Sequence, residues 1–145
     1  MFTIERSLLI QEKTMSNSPE AFVYKCKLKS VTDGDTIRLQ TIDLGFSVQL
    51  HNKAVRIAGI DTPESRINIK KYPERTKEKE LGLLAKQKLK EWLVGDITLR
   101  SYGTDKYGRV LGDVFCEKGN IADLLKKENL AVDYHGGTKT KKWGE

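Results

Sequence analysis

Carboxylates and arginines recur in three short segments of the sequence, each beside a glycine or a proline. The segments are 33–36 (DGDT), 56–64 (RIAGIDTPE) and 105–109 (DKYGR). Asp35 and Asp61 offer hard, anionic oxygen ligands. Two such carboxylates with one backbone carbonyl would hold Ca²⁺ incompletely, because this ion takes about 6–8 oxygens. These residue types therefore favour a cation site with positions left open for water and substrate.

The other charged residues of these segments suit chemistry at a phosphodiester. Glu64 follows Asp61 by three residues, past the rigid Pro63, where its carboxylate could orient or deprotonate a water molecule. Arg56 and Arg109 carry planar donor forks that match phosphate oxygens. In-line attack on a phosphodiester needs these parts: a cation, an activated water and positive groups facing the developing charge.

Each segment also has a structural interpretation. Asp35 could cap a turn, and Arg56 could lie on the face of a strand. The run 61–64 could be a helix cap with an acidic first turn. The run 105–109 could be a hairpin turn closed by a salt bridge. The presence of all three segments in one short chain favours the chemical interpretation.

Several common motifs fail on their context. Gly103 and Gly108 have P-loop spacing, but Arg109 follows where that motif requires lysine. The segment that begins at Asp33 would need a glutamate at Leu44 to be an EF-hand loop. Two cysteines and two histidines, without a CxxC pair, nearly exclude a tetrahedral zinc site.

The 145 residues correspond to one domain, and their net charge of +6 is unevenly distributed. The stretch 65–90 holds nine basic and three acidic side chains, which equals the net charge of the whole chain. Such a stretch suits a polyanion, although it could also be a solvated helix face. No apolar run approaches the ~18 residues that span a bilayer, and residues 1–14 lack the apolar core of about 7–15 residues of a signal peptide. We therefore expect no membrane association and a cytoplasmic location, with secretion as the alternative. We also expect a monomer.

Alternation of apolar and polar side chains predicts the strands that position the three segments. The predicted strands are 22–28, 37–39, a short one at 46–50, then 55–60, 97–102 and 109–116. Without the short strand at 46–50, the order of strands and helices is β-β-β-α-β-β-α, which contains no βαβ alternation. This order predicts a small β-barrel with helices on one side.

Two helices are predicted from apolar residues at helical spacing. The first begins at a Thr76 cap and ends at Gly95. Its inward face comprises Leu81, Leu84, Ala85, Leu89, Trp92 and Leu93. The second covers about 121–129 and is capped by Asn120. Residues 65–75 are predicted as an exposed basic loop.

The stretches VTDGDT (31–36), RIAGIDTPES (56–65) and DKYGR (105–109) occur in this order, with helix-like sequence between the last two. With them the chain resembles the staphylococcal nuclease-like, or thermonuclease, family from about Phe22 to Tyr134. The resemblance implies an α+β fold, a five-stranded OB-type Greek-key β-barrel with two packed helices, over residues 21–135. Residues 1–20 would be a flexible tail and 136–145 a basic tail, and the family's third, C-terminal helix is expected to be absent. The implied activity is that of a Ca²⁺-dependent endonuclease, which leaves 5′-hydroxyl and 3′-phosphate ends.

The resemblance also implies the residues of a metal site. Asp35 and Asp61 would be the carboxylate ligands of Ca²⁺, and Thr62 would add its backbone carbonyl. Asp33 would lie behind these direct ligands. Glu64 would be the general base or the residue that positions the attacking water.

Further positions match residues that contact the substrate, which the resemblance implies to be DNA or RNA. Arg56 and Arg109 would bind the scissile phosphate, and Arg109 would assist the leaving group. Lys106 and Tyr107 match positions that contact a nucleotide phosphate. Tyr134 matches a nucleotide-contacting tyrosine through an alignment that needs a gap.

Two other functions are compatible with the sequence. An OB barrel can hold single-stranded nucleic acid without cutting it. A structural Ca²⁺-binding protein would explain Asp35 and Asp61, but it gives Arg56 and Arg109 no role. The presence of all the catalytic positions favours the nuclease. The connection from Thr36 to Arg56 is longer than the family's, which predicts an additional loop or hairpin there.

Overall fold

Strands account for most of the described chain before the first helix and between the two helices. The computed structural model describes residues 22–137, 139 and 141–144, so the tail predicted at 1–20 lies outside the described residues. The strands are β1 (Val23–Asp33), β2 (Thr36–Gly45), β3 (Val48–Ile57), β4 (Ile60–Asp61), β5 (Ile97–Thr104), β6 (Val110–Cys116), β7 (Gly119–Asn120) and β8 (Val132–Asp133). The helices are α1 (Thr76–Trp92) and α2 (Ile121–Lys127), and a 3₁₀ turn at Pro73–Arg75 precedes α1.

Five of these strands close into a barrel. Antiparallel pairing gives the order β3-β2-β1-β5-β6, and parallel pairing of β3 with β6 joins the two edges. Along this seam Val55 lies opposite Val110 and Arg56 opposite Leu111. The barrel and its two helices confirm the predicted α+β, OB-type fold. In the part of the chain described after α2, only the short β8 is regular, and it pairs with β4.

The barrel interior is filled by branched apolar side chains. Ile37 and Leu39 of β2 and Val55 of β3 are fully buried there. Leu89 of α1 and Leu125 of α2 cover the barrel and are also fully buried. Burial of such side chains contributes about 1.5–3 kcal/mol each before the entropy of ordering is subtracted. Among the described residues, no helix is long and apolar enough to cross a membrane.

The inward face predicted for α1 is partly wrong. Leu84 is 46% exposed, and the inward residues include Gly82, Ala85 and Leu89. A Cβ atom at Gly82 would lie 2.4 Å from the carbonyl oxygen of Glu64. The helix approaches the chain so closely here that only glycine fits, and this approach rotates Leu84 toward solvent.

The strand predicted at 46–50 and the first part of the strand predicted at 55–60 belong to one strand, β3, which ends at Ile57, while Ile60 begins β4. The polar run around Asn52 suggests a break, but His51 pairs with Thr41 of β2. Both strands continue past the barrel as a hairpin whose turn residues, Phe46 and Ser47, have positive φ. The hairpin predicted from the long connection is therefore present, and its sequence lacks clear alternation because it is exposed on both sides.

Of the two predicted helix caps, the structure confirms one and contradicts the other. Asn120 caps α2 as predicted, since its Oδ1 accepts a 2.9 Å hydrogen bond from the backbone N–H of Ala122. The cap predicted at Thr76 is wrong, because α1 begins at Thr76 and the preceding 3₁₀ turn occupies the cap position. The Thr76 hydroxyl instead donates to the carbonyl of Pro73 at 2.7 Å.

Alkaline pH is expected to destabilise the fold through the buried thiol of Cys26. Burial raises the pKa of this thiol from 9.0 to about 11, against the lowering effect of a backbone hydrogen bond at Leu99. The unfolded thiol ionises first, so the stabilisation is complete below pH 9.0 and is lost as the pH rises through about 11. A shift of this size corresponds to about 2–3 kcal/mol of unfolding free energy.

Urea unfolding of the wild type and of Cys26→Ala at several pH values between 8 and 11 would measure this loss. Other groups titrate in the same range, so the difference between the two proteins isolates the thiol. We expect the gap in unfolding free energy to narrow as the pH rises. A constant gap would contradict the assignment.

Candidate active site

The three predicted segments meet at one rim of the barrel. They are the β1–β2 turn, the stretch from the end of β3 to Glu64, and the β5–β6 hairpin. They surround a cleft of about 370 Å³ that three carboxylates and five Arg and Lys side chains line, here called the acidic cleft after its carboxylates. The predicted residues that line it are Asp33, Asp35, Arg56, Glu64 and Arg109. The parallel β3–β6 seam brings Arg56 and Arg109 to the same rim, because Arg56 lies opposite Leu111.

Arg56 is held in place by backbone groups and by one carboxylate. Its Nη1 donates to the carbonyl of Ile57 at 2.6 Å, and its Nη2 donates to that of Ile60 at 2.7 Å. Nη2 also lies 3.6 Å from Oδ2 of the buried Asp35. Since a guanidinium has five N–H donors in a rigid fork, the remaining donors are available to an anion in the cleft.

Asp33 does not offer a free carboxylate to the cleft. Its Oδ1 accepts hydrogen bonds from the backbone N–H and the hydroxyl of Ser65, and its Oδ2 lies 3.3 Å from Arg66 Nη2. These bonds fix the chain just after Glu64. Ser65 is not among the predicted site residues, although it is the last residue of the matched stretch RIAGIDTPES. Its role is visible only in the structure, where its side chain is buried.

Glu64 is half-buried among other carboxylates. Burial is the largest cause that raises the pKa of its carboxyl group, the charges of Asp33 and Asp35 raise it further, and Lys139 opposes them. Its backbone N–H donates to Glu78 Oε2 at 3.3 Å. A carboxylate with a raised pKa in a cleft is suited to accept a proton.

A methyl group at Gly82 is expected to destabilise the protein and to displace Glu64. Although alanine gains about 1 kcal/mol of helix propensity over glycine, its Cβ would lie 2.4 Å from the Glu64 carbonyl oxygen and 2.6 Å from the Ser65 nitrogen. Overpacking of this kind costs about 1–3 kcal/mol. Urea unfolding of Gly82→Ala would measure the net loss, and Leu83→Ala, at a half-exposed position of the same helix, serves as the control. A more stable Gly82→Ala protein would contradict this contact.

Asp61 and Thr62 are buried beside the acidic cleft. Lys139 Nζ lies 2.9 Å from Asp61 Oδ1, as an ion pair without hydrogen-bond alignment. Within the described part of the chain, neither Asp61 Oδ1 nor Thr62 Oγ1 has a hydrogen-bond donor or acceptor. A buried carboxylate is costly unless a positive charge lies beside it. The Lys139 ammonium occupies that place here, so the position beside Asp61 suits a cation. Lys139 belongs to the segment predicted as an irregular basic tail, and no motif indicates it.

The described residues contain no group of three or more His, Cys, Asp or Glu side chains that could hold a metal ion. A cation bound here would therefore take few ligands from side chains. Its candidates remain the carboxylates of Asp35 and Asp61 with the carbonyl of Thr62.

Arg109 belongs to a tight, salt-bridged turn. Its Nε donates to Asp105 Oδ2 at 2.7 Å, while the backbone N–H groups of Tyr107 and Arg109 donate to Asp105 Oδ1, each at 2.9 Å. Desolvation raises the pKa of Asp105, but these hydrogen bonds outweigh it and hold the pKa below its usual value. The structural interpretation of 105–109 is thus correct, and the same turn directs Arg109 into the acidic cleft.

A second cleft, of about 860 Å³, adjoins the first and is here called the tyrosine cleft. Lys106, Tyr107 and Tyr134 line it, and Arg56 and Arg109 line both clefts. Tyr107 is 72% exposed. The Tyr134 hydroxyl donates to the Gly137 carbonyl at 2.6 Å. The structure therefore brings the predicted nucleotide-contacting residues together next to the arginines, and two tyrosine rings offer surfaces on which bases can stack.

A closed OB-type barrel with carboxylates and arginines at one rim defines the class of this protein. The model of the family described as "Staphylococcal nuclease homologue" matches residues 54–143. This match covers more than half of the chain, and the chain belongs to that family.

Three relatives illustrate the similarity. An uncharacterized 38.1 kDa protein of Capnoides sempervirens is 28% identical over 83% of this chain and 37% of its own length. An uncharacterized protein of Bacillus anthracis is 29% identical over 85% of this chain and 57% of its own. Staphylococcal-like nuclease CAN1 of Arabidopsis thaliana is 26% identical over 73% of this chain and 32% of its own. The chain thus spans between a third and somewhat over half of these relatives.

Proposed function

We propose that the protein is a calcium-dependent nuclease that hydrolyses phosphodiester bonds in DNA or RNA and leaves 5′-hydroxyl and 3′-phosphate ends. The observation that carries the proposal is the convergence of Asp35, Arg56, Glu64 and Arg109 on one cleft from three separate segments. Membership of the staphylococcal nuclease homologue family supports it, as does the likeness to a plant protein named as a nuclease.

In the proposed hydrolysis, the two arginines and Glu64 have different roles. Arg56 and Arg109 bind the non-bridging oxygens of the phosphate and stabilise the charge that develops there. Glu64 accepts the proton of the attacking water, whose oxygen forms the new bond to phosphorus. The bond from phosphorus to the 5′ oxygen breaks, and that oxygen takes up a proton from a solvent water molecule, which gives the 5′-hydroxyl and 3′-phosphate ends.

Asp35, Asp61 and the Thr62 carbonyl would hold the calcium ion. Asp61 Oδ1 is buried beside the Lys139 ammonium and suits a cation, and Asp35 is buried on the same rim. When bound, the ion would supply a positive charge that polarises the phosphodiester and a water molecule. Because the protein offers so few ligands, positions for water and substrate remain open.

The purified protein should be incubated with single- and double-stranded DNA and with RNA, each in Ca²⁺, in Mg²⁺ and in EDTA. Asp35→Ala and Lys118→Ala, an exposed position away from the cleft, would accompany the wild type. We expect cleavage only with Ca²⁺, retained in Lys118→Ala and lost in Asp35→Ala. The products should need phosphatase treatment before a polymerase can extend them.

No cleavage under any condition by a folded protein would overturn the proposal. Binding of the same oligonucleotides would then assign the protein as a non-cutting OB module. Cleavage in EDTA would show that the reaction does not need the calcium ion. Products that a polymerase extends without phosphatase treatment would contradict the proposed 3′-phosphate ends.

Removing the charge of Lys139 is expected to tighten Ca²⁺ binding. The ammonium group lies 2.9 Å from Asp61 Oδ1, so it repels a second cation at that carboxylate. Coulomb repulsion at a partly exposed site is worth about 1 kcal/mol or more, or roughly fivefold in affinity. Calorimetric titration of Lys139→Gln with Ca²⁺, without nucleic acid, would measure it against Lys141→Gln. Equal affinities in the two variants would contradict this competition.

A further inference from the structure

A third cleft, of about 960 Å³, lies between β1 and the C-terminal half of α1 and shares no lining residue with the other two. Lys27 and Lys29 of β1 line one side, and Lys86 and Lys90 of α1 line the other. Asp96 supplies the only carboxylate among the described residues around it. This region is here called the lysine cleft, and its four lysines and one aspartate give it a net charge of +3.

The charges of the lysine cleft are largely uncompensated within the protein. Among the ion pairs of the described residues, none involves Lys27, Lys86 or Lys90. Lys29 donates to the side chain of Asn52 at 3.3 Å. Four positive charges that converge on a concave surface repel one another, and this repulsion is relieved when an anion binds.

The lysines form two rows rather than a single point. Lys27 and Lys29 are two residues apart on a strand, about 7 Å along its axis. Lys86 and Lys90 are four residues apart on a helix, about 6 Å along its axis. Two rows of point charges fit a chain of phosphates better than a single compact anion. Within the described lining no aromatic ring offers a stacking surface.

We propose that the lysine cleft binds the phosphate backbone of a single strand of the nucleic acid whose scissile bond lies in the acidic cleft. This inference rests on the proposed nuclease function. It assigns a role to part of the basic stretch 65–90, namely Lys86 and Lys90, and it adds Lys27 and Lys29 from outside that stretch. Since no aromatic ring contributes, the contact is independent of sequence and strongly dependent on salt.

Successive segments of β1 connect the two clefts. Thr32 and Asp33 line the acidic cleft, and residues 27–31 line the lysine cleft. A regular strand from Lys27 to Asp33 would be about 20 Å long, and the register shifts of β1 shorten this distance. A bound strand that follows β1 would therefore extend several nucleotides beyond the scissile bond, within the site size of roughly 4–16 nucleotides of an OB fold.

The first test measures binding without cleavage. Fluorescence anisotropy with a single-stranded oligonucleotide of about 30 nucleotides, in EDTA and at several salt concentrations, would compare Lys27→Gln/Lys86→Gln/Lys90→Gln with Lys53→Gln/Lys118→Gln/Lys127→Gln. Each variant loses three charges, and the second set is exposed and lies outside the lysine cleft. Three lost phosphate contacts should lower the slope of log affinity against log salt by about 2, in the first variant alone. Equal slopes in the two variants would overturn the proposal.

A second test separates the lysine cleft from catalysis. With Ca²⁺, a dinucleotide is too short to reach the lysine cleft, so both variants should cleave it at the wild-type rate. Only the cleft variant should show a raised KM on the long strand. Absence of dinucleotide cleavage in every protein would count against the nuclease function alone, because the anisotropy slopes still test the cleft. Stronger binding of polyglutamate than of the oligonucleotide would instead assign the cleft to an acidic protein and overturn the proposal.

Discussion

Replacing Arg109 with alanine is expected to slow phosphodiester cleavage by about 10³–10⁵-fold, the range known for arginines that stabilise a phosphoryl transition state. The side chain lines both the acidic and the tyrosine clefts, and its Nε bond to Asp105 at 2.7 Å holds the guanidinium in place. Loss of this group removes the donors that face the developing charge. Single-turnover cleavage of a labelled oligonucleotide in Ca²⁺ would measure the effect.

The variant Arg109→Lys separates charge from geometry. Lysine keeps the positive charge but lacks the planar donor fork, so its rate should fall between those of Arg109→Ala and the wild type. Stability should change by no more than about 1 kcal/mol, since the ion pair is partly exposed and two backbone N–H groups still bind Asp105. Near-normal turnover of a folded Arg109→Ala would remove this residue from the mechanism.

Replacing Glu64 with glutamine is expected to lower the single-turnover rate by about 10²–10⁴-fold, the usual contribution of a general base. The amide has nearly the same size but cannot accept the proton of water. The backbone N–H bond from residue 64 to Glu78 remains possible. Affinity for an oligonucleotide in EDTA should be unchanged or slightly higher, because one negative charge is lost from the cleft.

The matched control for this variant is Glu78→Gln. Glu78 accepts the Glu64 N–H at 3.3 Å and pairs with Arg75 at 3.0 Å, but it is not among the described lining residues of the acidic cleft. One weakened hydrogen bond is worth about 0.5–1.5 kcal/mol, so the rate should fall by no more than about tenfold. Equal losses in the two variants would mean that residue 64 acts only by fixing its loop.

Much of the fold follows from local patterns in the sequence, because alternation and caps are short-range effects. The strands around Ile37 and Leu99 and the Asn120 cap are of this kind. The parallel β3–β6 pairing that closes the barrel is long-range and has no local signature. The prediction that Leu84 faces inward is wrong for a similar reason. Gly82 faces inward because α1 approaches Glu64 closely, and this contact is also long-range.

In the candidate site, too, the sequence predicts the local features and misses the contacts between distant parts of the chain. Its principal residues fall in three short segments, which the sequence alone groups by chemical type and by family resemblance. Their neighbours are set by tertiary structure: Ser65 binds Asp33 across the sequence, and Lys139 reaches Asp61 from the tail. Neither contact could be predicted, because both depend on how distant parts of the chain meet.

The parallel seam has a consequence for the order in which the molecule gains its activity. The β1–β2–β3 meander carries Asp35 and Arg56, whereas Arg109 precedes β6 and reaches the cleft only when β3 and β6 pair. Pairing of β3 with β6 closes a long loop, and the chain entropy lost on closure opposes it. Few partly folded chains therefore contain this pairing. On the proposed function, a chain with an open barrel lacks Arg109 in the acidic cleft and would not cleave nucleic acid. Cleavage would begin only when β3 and β6 pair, and its rate would report the closed fraction during refolding.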